Sequence, residues 1–96
     1  METKAAVVIL NWNGIQFLKK FLPAVVESSS GIARVIVADN ASTDESRPWT
    51  REKFPGVEWI QLDNNYGFAG GYNRALQKIN AEIFILLNSD VEVNGN

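Results

Sequence analysis

The chain has no cysteine and no histidine, and each absence removes a class of chemistry. Without cysteine there are no disulfides, no thiolate metal site and no cysteine nucleophile. Without histidine as well, any bound metal must be held by oxygen, which points to Mg2+ or Mn2+ rather than zinc. Positive charge is also scarce. Nine Lys and Arg stand against eleven Asp and Glu, for a net charge of -2 and a pI near 5.0. No basic patch appears, so a general binder of the nucleic-acid backbone is excluded. No apolar run is long enough to span a bilayer, and Met1 leads into Glu2 rather than into a basic stretch followed by an apolar segment. The expected setting is the cytoplasm.

What is present suits one small globular domain. The 96 residues, 46% hydrophobic and 21% charged, allow a single core. No repeat, linker or low-complexity segment interrupts them. Ala5 to Leu10 is a β-branched run of strand length that stops at the turn formers Asn11-Trp12-Asn13-Gly14. The period then changes: Ile15, Leu18, Leu22 and Val25 or Val26 share a helical face, with Lys19 and Lys20 opposite. Pro23 removes a backbone donor from this helix and predicts a kink or a break there. Arg34 to Ala38 is a second strand, and Ser42 with Glu45 reads as a capping box that starts a second helix. Pro48 is tolerable in its first turn, and Phe54-Pro55-Gly56 ends it. Val57 to Leu62, with weaker alternation, suits an edge strand. A glycine-rich loop, Asn64 to Gly71, opens a third helix whose buried face is Tyr72, Ala75, Leu76 and Ile79. Ile83-Phe84-Ile85-Leu86-Leu87 is continuously apolar, as in a strand buried on both faces, and ends in Asn88-Ser89-Asp90.

Strands and helices alternate, so a parallel sheet with right-handed crossovers follows. The expected fold is a three-layer, Rossmann-like α/β sandwich: four parallel strands in the order 3-2-1-4 with helices on both faces. That order gathers Asn11-Trp12, Asp39 and Asp90 at one end of the sheet. Each acid has two readings. Either it caps the helix or turn that follows, as Asp often does, or it serves a ligand. At Asp90, Ser89 and Asn88 add neutral oxygens and Glu92 lies two residues on. One carboxylate with waters and a ligand's phosphate oxygens is enough for Mg2+ or Mn2+. Glycines before a helix expose N–H groups to an anion, but the stretch Gly67 to Gly71 contains neither GxGxxG nor GK[ST]. The simpler reading gives Gly67 a positive φ and lets Gly70 and Gly71 permit close helix packing. Asn64, Asn65 and Arg74 can face the same crevice, where Arg74 would offset diphosphate charge, or Arg74 lies on a helix surface. Trp12 either stacks on a planar base or packs in the core. Trp49 and Trp59 read as packing residues.

Four stretches, Ile9–Gly14 (ILNWNG), Val37–Ser46 (VADNASTDES), Asn64–Leu76 (NNYGFAGGYNRAL) and Phe84–Val93 (FILLNSDVEV), together resemble the family 2 glycosyltransferases of GT-A fold, in their rhamnosyltransferase-like branch. The resemblance covers nearly the whole chain in order. It implies that Asn11, Trp12 and Asp39 hold the base and ribose of a nucleotide; a carboxylate suits the N3–H of uracil or thymine. The family's D-x-D motif corresponds to Asn88-Ser89-Asp90. Asp90 then binds the divalent ion and the sugar diphosphate, and Asn88 replaces the first acid. Asn65, Arg74 and Ser89 complete the expected donor site. The implied reaction is metal-dependent transfer of a sugar from a UDP- or dTDP-linked donor to a saccharide or lipid-linked acceptor, of hexosyltransferase type, at the inner face of the membrane in the full-length enzyme.

Other readings lack their signatures. A receiver domain would want paired acids after the first strand, and a nucleotidyltransferase a glycine-rich basic loop there; neither is present. A non-catalytic nucleotide- or phosphate-binding α/β module is the alternative. Members of the resembling family are longer, and their second half carries the acceptor site and the catalytic base. The expectation for residues 1–96 is therefore a single truncated domain that binds a nucleoside diphosphate sugar, lacks the base, and gives no product in a turnover assay. Strand 4 becomes an apolar edge and helix 3 lies nearly alone on its face. Self-association through either is expected; a monomeric sedimentation profile at high concentration would count against it.

Overall fold

The computed structural model describes residues 4–89. The elements are β1 (Ala5–Asn11), α1 (Ile15–Ser29), β2 (Ala33–Asp39), α2 (Ser46–Lys53), β3 (Glu58–Gln61), α3 (Gly67–Leu76) and β4 (Ile83–Asn88). All four strands are parallel and lie in the order β3-β2-β1-β4. β1 is central and buried from Ala6 to Asn11, which is why its sequence shows no polar alternation.

Alternate residues of the sheet feed two cores. On one face Val7, Ile9, Val35 and Val37 meet Leu18 and Leu22 of α1, with Trp49 and Trp59 packed against them. On the other, Ala6, Val8, Leu10, Ile36 and Ala38 meet Tyr72 and Ala75 of α3 and Ile79 beyond it. Leu18 and Leu22 are fully buried, each worth about 2–3 kcal/mol by area removed from water. The helices thus cover both faces, with α1 and α2 together and α3 alone.

Four local expectations need correction. α1 runs unbroken through Pro23, because Pro23 and Lys19 are both exposed and the carbonyl left without a donor lies on the solvent side. α2 begins at Ser46, not at Ser42, and no capping box forms. Ser42 is committed elsewhere: its N–H and hydroxyl both donate to the Asp39 carboxylate (2.8 and 2.7 Å). The cap is Asp44, whose two oxygens accept from the N–H of Ser46 (2.9 Å) and of Ile15 (3.1 Å). One carboxylate therefore sits at the N-termini of two helices, where an anion is favoured. β4 is not buried on both faces: Ile83, Ile85 and Leu86 are 56%, 47% and 44% exposed, since β4 pairs only with β1 among the described residues. Finally, Leu76 is half-buried, and Ile79 reaches the core from beyond the end of α3.

Where the strands begin, Arg34 holds Glu58 in a bidentate pair (2.8 and 2.7 Å) and also donates to the Asn80 carbonyl (3.1 Å). The side chains are 31% and 46% exposed, so the bridge is screened and worth about 0.5 kcal/mol. The hydrogen bond from Arg34 holds the Glu58 carboxyl below its ordinary 4.5, against the opposing effect of desolvation. A lowered folded-state pKa contributes stability above the unfolded value, and that stability is lost as pH falls through the folded value. Arg34→Gln should therefore melt slightly below wild type at pH 7. Thermal scans well below pH 4.5 should bring the two curves together; a gap that persists there would mean the pair is not its cause.

Candidate functional site

At the carboxyl ends of the strands, four side chains form a polar chain that repeats the sheet order. Ser89, just past β4, donates its hydroxyl to Asn11 Oδ1 (2.7 Å). Asn11, ending β1, donates its amide to Asp39 Oδ1 (2.8 Å). Asp39 ends β2, and its Oδ2 accepts from the amide of Gln61 at the end of β3 (3.1 Å). Ser42 supplies two further donors to the same carboxylate. Asn11 and Asp39 are 0% and 1% exposed. A charge so deeply buried persists only when its oxygens are satisfied, and here each oxygen receives two donors.

The loops that follow β1 and β2 are tied to each other. Asn13, at φ 51°, accepts the N–H of Thr43 (2.7 Å) and Asp44 (3.1 Å) on its side-chain oxygen and gives its own N–H to Ser42 Oγ (2.7 Å). Ala41 stands at φ 63°, a left-handed conformation that costs an ordinary residue about 1 kcal/mol. Gly14 closes the cluster. A Cβ there would lie 2.4 Å from Ser89 Oγ and 2.5 Å from Asn11 Oδ1.

The mouth of α3 is built by Asn40. Its amide donates to the Gly67 carbonyl (3.1 Å) and its oxygen accepts the Tyr66 N–H (3.3 Å). Asn65 Oδ1 accepts the N–H of Gly67 (2.9 Å), which takes φ 76°. A Cβ on Gly71 would come within 2.8 Å of Asn40 and Leu10, so this glycine is what lets α3 seat against β1. Tyr72 on α3 donates its hydroxyl to the Leu87 carbonyl. Burial pushes its phenol above the ordinary 10.0, against the opposite pull of a backbone hydrogen bond with Leu10, so it remains a neutral donor at physiological pH.

Between these elements lies a hollow of about 190 Å³, lined by Leu10, Trp12, Asn40, Asn65, Phe68 and Asn88. Trp12 is 42% exposed and Phe68 60%, so Trp12 is a surface aromatic at the site and not a core residue. A larger hollow of about 380 Å³ lies where the strands begin, among residues such as Val26, Val35, Phe54 and Val57. Of the three charged residues that line it, Arg34 and Glu58 are already bonded to each other, and Lys53 is the third. Binding in open α/β sheets takes place at the opposite end, and the smaller hollow is the candidate.

The structure thus brings Asn11, Asp39 and Ser89 into one bonded group and places Trp12 and Asn65 on the hollow beside it. Arg74 is elsewhere. Its guanidinium lies 3.7 Å over the Tyr66 ring, in a separate hollow of about 340 Å³ shared with Gln61, Gln77 and Lys78. Asp90 and Glu92 lie outside the described residues. Among the described residues, no three His, Cys, Asp or Glu side chains come together to hold a metal, and the donors around Asp39 leave it no oxygen for a cation. Sequence reasoning missed Gln61, Asn40 and Gly14: Gln61 stood among the weakly alternating residues of an edge strand, and the other two looked like ordinary turn formers.

Comparison with known proteins adds a family. A model described as Glycosyl transferase family 2 matches residues 6–96. The low-salt glycan biosynthesis hexosyltransferase Agl10 of Haloferax volcanii is 29% identical over 93 residues, covering 93% of this chain and 28% of that protein. Among solved structures, S. aureus TarS 1-349 in complex with UDP-GlcNAc superposes with a TM-score of 0.74 at 22% identity, over 92% of this chain and 27% of that one. The mannosyltransferase PcManGT from Pyrobaculum calidifontis, in complex with GDP-Man and Mn2+, gives 0.73 at 22% identity, over 94% and 28%. The structural likeness establishes the fold. The chain spans roughly a quarter of the length of each of these proteins.

Proposed function

Because the chain belongs to glycosyl transferase family 2, we propose that its 96 residues form the part of a sugar transferase that binds the nucleoside diphosphate sugar. The observation that carries this reading is the convergence of Ser89, Asn11, Asp39 and Gln61 at the carboxyl ends of the strands, beside a hollow with exposed aromatics. The structural relatives bound to UDP-GlcNAc and to GDP-Man with Mn2+ support the donor class and the metal.

In this reading Trp12 gives the nucleotide an aromatic surface, and Asp39 addresses its base. Buried Asn11 and Ser89 act as positioning residues, holding the strand end from which the chain continues to Asp90. Asp90 would hold Mg2+ or Mn2+, whose charge favours departure of the nucleoside diphosphate. In the transfer, the bond from the anomeric carbon to the diphosphate oxygen breaks and one to an acceptor hydroxyl forms. The base that takes the hydroxyl proton is assigned to the part of the relatives that this chain does not span. A saccharide or lipid-linked acceptor, UDP or dTDP as the carrier, and a cytoplasmic site at the inner membrane face belong to the same proposal. Self-association is proposed with it, on the exposed apolar residues of β4.

The test is calorimetric titration with UDP and dTDP, with and without Mn2+. Wild type should bind more tightly with the metal, and Asp90→Ala should lose roughly tenfold or more of that metal-dependent affinity. Equal affinity in all four combinations of protein and metal would leave Asp90 a turn residue.

A further inference from the structure

We propose that Gln61 occupies the place on Asp39 that the donor's base takes, so that binding exchanges the Gln61 amide for the imide edge of a uracil- or thymine-type base. This rests on reading the strand ends as a nucleotide-sugar site.

The carboxylate of Asp39 is full. Its Oδ1 accepts from Asn11 and Ser42 (2.8 and 2.7 Å), and its Oδ2 from the Ser42 N–H and Gln61 (2.8 and 3.1 Å). A base that donates to Asp39 must displace one of these donors. Asn11 is fully buried and bonded on to Ser89. Ser42 is half-buried and held through its own backbone. Gln61 alone among the three is exposed, on the last residue of the edge strand β3. Asp39 itself is 1% exposed, so of its covering donors Gln61 is the one that a ligand meets first.

The chemistry of exchange is balanced. The Gln61 side chain offers an N–H beside a carbonyl, and a uracil edge offers N3–H between two carbonyls, so one N–H···O⁻ bond replaces another. The released amide has somewhere to go, because Gln61 borders the hollow of about 340 Å³ that also holds Tyr66 and Arg74. Its remaining partners are the Leu62 carbonyl (3.1 Å), the Trp59 indole N–H (2.9 Å) and Arg47 (3.4 Å). The bonds to Trp59 and Arg47 are exposed, so water can replace the amide there, while Leu62 is buried. Cytosine presents a lone pair at position 3 instead of a proton, so it cannot make this N3–H bond to Asp39.

The experiment titrates UDP and CDP, each with Mn2+, into wild type and Gln61→Ala. UDP should bind about fivefold more tightly to the variant, the size expected when one competing hydrogen bond is removed, and CDP affinity should not change. Gln61→Met keeps the bulk without a donor and should move UDP affinity in the same direction; matched melting curves check that both variants fold. If wild type binds UDP and neither variant gains, the amide is not in the base's place, although the nucleotide site stands. A gain shared equally by CDP would also overturn the proposal, by making the effect one of space alone. No UDP binding by any of the proteins would sink the nucleotide reading and the exchange together.

Discussion

Gly14→Ala is expected to destabilise the fold by about 3 kcal/mol, from overpacking of the site and loss of a buried hydrogen bond. The backbone is not the cause. Gly14 has φ -103° and ψ 36°, which alanine can adopt. The cost comes from space: the new Cβ would meet Ser89 Oγ at 2.4 Å, Asn11 Oδ1 at 2.5 Å and Ser89 Cβ at 2.8 Å. The two oxygens end their side chains, but both are buried and bonded, Ser89 to Asn11 and Asn11 on to Asp39, so neither can swing away freely. Relief requires the loop after β1 or the end of β4 to shift; the first is tied by Asn13 to the loop after β2, and the second by the Ser89 N–H to the Leu10 carbonyl (2.9 Å). Urea unfolding should show a lower midpoint with an unchanged slope. A loss below about 1 kcal/mol would mean that the strand ends yield more easily than their hydrogen bonds suggest. On the proposed function, nucleotide binding in the presence of Mn2+ should weaken by more than the loss of folded protein explains, because the displaced residue immediately precedes Asp90.

The second large effect is expected at Asn11→Ala, about 4 kcal/mol. Truncation opens a small cavity and strands two buried partners, each carrying its own desolvation cost. Asp39 Oδ1 loses one of its donors and Ser89 Oγ loses its acceptor. The charge on Asp39 makes that side the more expensive, since hydrogen bonds to ions are the stronger kind. A double-mutant cycle with Ser89→Ala separates the two costs: the variants should be non-additive, because they share one bond. Strict additivity, or a single-variant loss under about 1.5 kcal/mol, would argue that water replaces the amide at little cost.

How much of this was legible in the sequence depended on the kind of signal. The strands and their order followed from unbroken apolar runs such as Ala5 to Leu10 and from alternation with helical periods, and the structure has the order β3-β2-β1-β4. Asn11, Asp39 and Ser89 could be brought together because each stands at a strand end, and strand ends are fixed by topology. Side-chain partners that cross between loops left no such trace. Ser42 looked like a helix cap until Asp39 was seen to claim both its N–H and its hydroxyl. Asp44, which caps two helices, has no local signature for the one 29 residues upstream. Arg74 had two readings, the crevice or a helix surface, and its guanidinium lies over the ring of Tyr66 in a neighbouring hollow. Gln61 is an exposed polar residue on an edge strand, and nothing in its neighbours announces a buried carboxylate behind it.

The double service of Asp44 has a consequence for how the molecule opens. Neither α1 nor α2 has a side-chain hydrogen bond from its own N-cap residue. Both depend on one carboxylate in the loop after β2, and α1 cannot acquire it until β1 and β2 have come together. The first turns of the two helices should therefore fray as one unit, with amide hydrogens at Ile15 and Ser46 exchanging at matched rates, although 30 residues of chain lie between them.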